Sequence, residues 1–237
     1  MASLTEILQR QTVWRGGAPA GAVVPATRTG FATLDAELPG GGWPVGGLAE
    51  LLCPTEGIGE LQIVLPALAA LTGAGHQIAW LAPPYLPYAP ALRAAGVRLS
   101  GLTVVRAPGR RDALWAAEQA LRSGAFRALL LWLPRASYAE LRRLAVAAQA
   151  GLGFVLAFRP PEAACESSPA LLRLALEPGE PPTVPTVRIL KRRGLPLAAA
   201  FPISIDRPAV KNPAHALGRA PLSPVPPPGA VARACAA

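Results

Sequence analysis

The sequence predicts an α/β fold: a mostly parallel sheet flanked by helices, with a hairpin at one edge. Three observations predict it. Strand-like and helix-like segments alternate from residue 48 to residue 158, the order that builds βαβ units. The strand-like runs, such as R-A-L-L-L-W-L over 127–133, are continuously apolar and do not alternate, as strands covered on both faces require. Residues 51–65, L-L-C-P-T-E-G-I-G-E-L-Q-I-V-L, have the strand, glycine turn and helix order of a phosphate-binding loop.

The elements follow in order. At 3–12, S-L-T-E-I-L-Q-R-Q-T places Leu4, Ile7 and Leu8 at i, i+3 and i+4, with Ser3 and Glu6 spaced as a capping box; this predicts a short helix with one apolar stripe. Val13, Trp14 and a Gly/Ala/Pro-rich stretch complete an N-terminal helix and linker, 1–25. Such a helix either packs on its own domain or hooks another protein; the flexible tether favours the hook. Glycines at 40–42 and 46–47 mark a turn-rich approach to a strand at 48–53. An amphipathic helix is expected at 60–71, then strand 77–82, helix 89–95, strand 102–107, helix 110–122, strand 127–133, helix 137–149 and strand 152–158. Three strand-like runs without intervening helices, at 171–176, 186–191 and 197–205, predict the edge hairpin. Residues 26–206 thus form one core, and 207–237 read as a Pro-rich disordered tail.

The 237 residues suffice for one core and demand no second domain. A net charge of +9, from excess Arg, points to acidic partners, either nucleic acid or an acidic protein. Cys53, Cys165 and Cys235 are odd in number and lack metal-ligand spacing, so reduced structural thiols and no metal are expected in a cytoplasmic protein. No apolar run reaches the roughly 18 residues that span a bilayer, and Glu6 and Gln9 interrupt the N-terminus where a signal peptide is apolar. No membrane contact is expected.

The phosphate-loop grammar lacks its chemistry. A working loop presents backbone N–H groups to phosphate, follows its last glycine with Lys, and then uses Ser or Thr to hold magnesium. Here Gly57 and Gly59 are followed by Glu60 and Leu61. A unit charge pair near 4 Å is worth about 4 kcal/mol at an effective dielectric of ~20, so a carboxylate in place of that Lys shifts the balance by more than this. The loop reads as built to fold, with no nucleotide cofactor. Asp35, Asp112, Glu118 and Glu140 are scattered and His76 has no triad order around it, so no enzyme is expected. Arg188, Lys191, Arg192 and Arg193 form the densest basic run, with Arg142 and Arg143 as a second cluster; either is a solvated surface or a contact for DNA phosphates or an acidic partner. Trp80, Trp115 and Trp132 are assigned to the core, and Tyr85 and Tyr88 to an exposed loop.

Thr29-Gly30-Phe31-x-x-Leu34-Asp35, the Gly-rich 38–47, the strand after it, and Pro54 with Gly59 resemble the entry into the core of the recombinase RecA. Within RecA-like chains, G-I-G-E-L, V-W-R-G and L-K-R-R-G resemble the translesion-synthesis-associated ImuA family, itself related to RecA and SulA. The resemblance covers about residues 26–206 and implies a RecA-like P-loop-type core. It places the catalytic carboxylate near Pro83-Pro84 and the magnesium-orienting Asp at Trp132, so three components of phosphoryl transfer are absent together. The segments at 134–152 and 159–169 are short beside the DNA-binding loops of a recombinase. What the resemblance implies is a non-catalytic adaptor in SOS-induced translesion synthesis. It would work beside an ImuB-type Y-family polymerase-like protein and an error-prone polymerase, with RecA as a further candidate partner, and Leu4, Ile7, Leu8, Val13 and Trp14 as contact surface. The alternative is a SulA-like division inhibitor that binds FtsZ.

Overall fold

The computed structural model describes residues 25–54, 59–177, 185–192 and 201–202. The expected N-terminal helix with Leu4, Ile7, Leu8, Val13 and Trp14, the loop residue Gly57, Arg193 and the Pro-rich tail lie outside the described residues. Every described residue belongs to one unit of the chain, Met1–Asp206.

The chain enters through a two-stranded antiparallel sheet, β1 (Ala26–Thr27) against β2 (Trp43–Pro44), with Ala26 opposite Pro44. Between them lies a helix that no sequence expectation covered, α1 (Ala32–Glu37). The T-G-F-x-x-L-D stretch locks it. Thr29 donates to Asp35 Oδ1 through both its backbone N–H (2.8 Å) and its hydroxyl (2.7 Å), and Phe31 N–H donates to Thr29 Oγ1 at 3.1 Å. Gly30 sits at φ +94°, and a Cβ there would lie 2.4 Å from Pro66 Cβ, so only glycine lets the two segments meet.

The main sheet has eight strands. In spatial order they are β10 (Phe201–Pro202), β9 (Thr186–Lys191), β8 (Leu172–Glu177), β3 (Leu48–Leu52), β7 (Phe154–Arg159), β6 (Phe126–Trp132), β4 (Gln77–Leu81) and β5 (Leu102–Val105). All neighbours from β8 to β5 are parallel. Strands β9 and β10 add antiparallel beyond β8. The edge hairpin therefore exists, but the first of its three expected runs is a full member of the parallel sheet, paired Ala49↔Leu172 with β3. The fold class is α/β as expected.

Side chains alternate between two apolar layers. Ile78, Trp80, Leu130 and Leu156 face a core shared with α1, α2 (Leu65–Gly73) and α3 (Ala89–Ala94). Ala79, Leu81, Leu129, Leu131 and Val155 face the other, under α4 (Arg110–Ser123) and α5 (Tyr138–Ala148). Helix α2 starts at Leu65 and not at Glu60 as expected. Pro66 lies in its first turn, where the ring fixes φ and needs no N–H partner, and 60–64 form turns instead. Strand β7 likewise starts at Phe154, two positions after its expected beginning. Helix α5 opens on a complete capping box: Ser137 caps Glu140 N–H, while the Glu140 carboxylate accepts from Ser137 N–H at 2.8 Å.

Candidate functional site

The site to judge is the mouth of the sheet at the C-terminal ends of its parallel strands, where open α/β sheets bind ligands. Strand β3 leads there through Cys53, whose N–H donates to Arg159 O at 2.9 Å. Burial, with Glu60's negative charge added, pushes the Cys53 thiol up to about 12. Gly59 has φ +109°, and its N–H donates to Glu60 Oε2 at 3.2 Å. The loop's own carboxylate thus takes a backbone donor of the kind that phosphate takes in a working loop. Leu61, which stands where the phosphate-loop pattern has its magnesium ligand, packs against the apolar core of the α2 layer.

Across the mouth, Trp132 stacks on Phe158 with ring centroids 4.7 Å apart and tilts against Trp80 at 5.6 Å. These rings come from β6, β7 and β4, so the position that the resemblance gives to a magnesium-orienting Asp is part of an aromatic stack. Offset stacking of this kind adds about 0.5–1.5 kcal/mol beyond area burial. It offers no ligand for a cation. Among the described residues no group of three His, Cys, Asp or Glu side chains is placed to hold a metal ion.

On the α4/α5 side of the mouth runs a cleft of about 600 Å³, lined by Arg110, residues 134–138, Arg159, Glu166 and Ser167. Two of its three guanidiniums are matched to protein carboxylates, Arg110 to Glu140 at 2.6 Å and Arg159 to Glu166 at 2.8 Å, while Arg135 has no carboxylate partner among the described residues. Burial pulls the Glu140 carboxyl upward, but hydrogen bonds from Ser137 and Arg110 outweigh it and hold the group below the ordinary glutamate range.

Beneath this cleft is a feature the sequence reading missed. Glu50, fully buried in the middle of β3, accepts from Arg173 Nε on β8 at 2.6 Å and from Arg159 on β7 at 3.3 Å. Arg159 also donates to Ala136 O at 3.0 Å, and Arg173 donates to the carbonyls of Ala163 and Glu166. These carbonyls belong to the β7–β8 connection, which holds only a 3-10 turn (Pro161–Cys165) where a helix is usual. The ionic group therefore ties this short connection, which contacts β3 itself, onto the sheet. The available signal was one carboxylate inside L-A-E-L-L and arginines in A-F-R and L-R-L: charges in buried strands must find one another.

The basic run is spread over separate intramolecular contacts. Arg188 pairs with Glu177, Lys191 Nζ donates to Ser168 O at 2.8 Å, and Arg192 pairs with Glu37 at 3.0 Å. In the second cluster Arg143 pairs with Glu118 at 2.7 Å. Tyr85 and Tyr88 are exposed as expected, and Trp80 is buried. Trp115 is not core: it is 64 % exposed on the outer side of α4. Its place in an expected helix pointed to the core, yet its neighbours at i−4 and i+7 are Arg111 and Arg122, a solvent-facing pattern.

No family model matches the chain. Over 103 residues it is 36% identical to a protein of Edwardsiella piscicida described as cell division inhibitor SulA, a stretch that covers 43% of this chain and 61% of that relative. The chain therefore spans less than two thirds of the relative's length. No helix among the described residues is long and apolar enough to cross a membrane.

Proposed function

We propose that this chain is a non-catalytic RecA-like adaptor in SOS-induced translesion DNA synthesis. It works with an ImuB-type Y-family polymerase-like protein and an error-prone polymerase, and RecA is a further candidate partner. The observation that carries the non-catalytic half is the Glu60 carboxylate closed on the Gly59 N–H, with Leu61 packed against the core beside it. Both departures remove attraction for a nucleotide triphosphate and its magnesium. The adaptor half rests on the ImuA-like motifs G-I-G-E-L and L-K-R-R-G. The hook at Leu4, Ile7, Leu8, Val13 and Trp14 remains the first candidate contact.

The likeness to a protein described as cell division inhibitor SulA favours a second reading, an inhibitor that binds the tubulin-like division protein FtsZ. One experiment separates the two: the tagged chain is offered purified ImuB-type partner, RecA and FtsZ. Retention of the ImuB-type protein or RecA supports the adaptor. Retention of FtsZ alone, together with filamentation on overexpression, overturns it.

A further inference from the structure

Trp115 is 64 % exposed, on a protein whose other described tryptophans are wholly or partly buried. On α4 it shares one stripe with Arg111, Glu118 and Arg122, at i−4, i+3 and i+7. The adjoining helix α5 presents Tyr138, Arg142 and Val146 at i, i+4 and i+8, with Tyr138 48 % and Val146 53 % exposed. The Glu118–Arg143 pair, 2.7 Å across the two helices, joins these stripes into one face. Exposed Trp and Tyr ringed by arginine is the composition of an interface centre.

The charges on this face decide what fits it. Arg110 and Arg143 are neutralised by Glu140 and Glu118. Arg111, Arg122 and Arg142 are exposed and have no carboxylate partner among the described residues. The chain's own long segments outside the described residues do not complement them: residues 1–24 carry one Glu against two Arg, and 203–237 carry one Asp against four Lys or Arg. A cover must come from another molecule that is acidic and has an apolar group for the Trp115 ring. Nucleic acid fits less well, since its phosphates would meet the exposed Asp112 in the first turn of α4, and one indole makes no stacking track for successive bases.

We propose that the outer face of α4 and α5, centred on Trp115 and ringed by Arg111, Arg122 and Arg142, docks an acidic segment of the partner protein that inserts an apolar side chain against the indole. The inference rests on the adaptor reading and names the surface it uses. The test immobilises the full chain and titrates the purified ImuB-type protein at two salt concentrations, with wild type, Trp115→Ala, and Arg122→Glu combined with Arg142→Glu. Trp115→Ala is expected to weaken binding by about tenfold or more. The charge reversal is expected to weaken it similarly, with the loss shrinking as salt rises. Unchanged melting of the variants shows that the core is intact. If wild type binds and both variants bind within twofold of it, the surface is wrong and the adaptor reading stands. If wild type does not bind the ImuB-type protein, this inference is overturned, and the adaptor reading then stands or falls on retention of RecA. If the reversal instead abolishes binding of a labelled single-stranded oligonucleotide and spares the protein, the face is a nucleic-acid surface and the inference is overturned.

Discussion

Substituting Glu50 by Gln tests whether the buried ionic group holds β3, β7 and β8 together with the connection above them. The amide keeps the shape and removes the charge, so two arginines with side chains 1% and 8% exposed lose their shared counter-ion. Arg159 keeps Glu166 and Ala136 O, and Arg173 keeps its carbonyls. No other described carboxylate pairs with Arg173. Breaking a buried pair from one side costs about 3–5 kcal/mol, a large part of the roughly 5–15 kcal/mol that stabilises a domain. For a chain of this size that is a fall in melting temperature of about 6–20 °C. Circular dichroism melts of the full chain read it. The companion variant replaces Glu50, Arg159 and Arg173 together by Leu, Met and Met. Because it leaves no orphan charge, it is expected to melt above the single variant. A Glu50→Gln shift under 2 °C would refute the reasoning, since the carboxylate would then not be what satisfies the two guanidiniums.

Three further outcomes follow from the same geometry. Gly30→Ala forces a side chain onto a left-handed φ and against Pro66; it costs about 1–3 kcal/mol of backbone strain and a similar overpacking term, read as a lower urea midpoint with unchanged slope. Glu140 is held below its ordinary value of 4.5, so its contribution is present above that pH and is lost as pH falls through the lowered folded value. The stability gap between wild type and Glu140→Gln should therefore narrow on acidification, and a gap independent of pH would show the capping box to be uncharged in effect. Cys53, pushed up to about 12, stays a thiol at mildly alkaline pH. Peptide mapping after brief iodoacetamide treatment should find exposed Cys165 alkylated well before it.

The parallel sheet was legible because its strands are continuously apolar and regularly interrupted: β4 (Q-I-A-W-L) and β6 (F-R-A-L-L-L-W) fall within one residue of their expected bounds at each end. Position in the sheet was not legible, because β8 looks the same in sequence whether it pairs in parallel with β3 or begins a hairpin. Helix α1 is only six residues long, too short to show a period. It exists because Thr29, just before it, is clamped to Asp35 within it. The loop's defect at Glu60 and Leu61 could be read directly, since that reading needed residue types alone. The pairing within the Glu50 group could not, because it depends on contacts between strands far apart in the chain, whereas the exposure of Trp115 was legible in Arg111 and Arg122 on its own helical stripe.

The residues that carry the RecA likeness and those that would carry its chemistry separate physically here. Thr29, Gly30 and Asp35 shape a clamp and a close approach to α2, so the motif has work to do with no ligand present. At the chemical positions, Glu60 closes on the loop's own N–H and Trp132 is stacked on Phe158 at 4.7 Å, each satisfied within the protein. It follows that repairing one position is not enough. Glu60→Lys removes the internal anion and restores the phosphate-facing charge, yet leaves Leu61 packed against the core and an aromatic stack at the position that the resemblance gives to the magnesium-orienting Asp. Calorimetric titration of this variant with Mg-ATP is expected to give no heat. A clear binding isotherm would mean that the loop carboxylate alone kept nucleotide out, and that the apolar replacements at Leu61 and Trp132 do not.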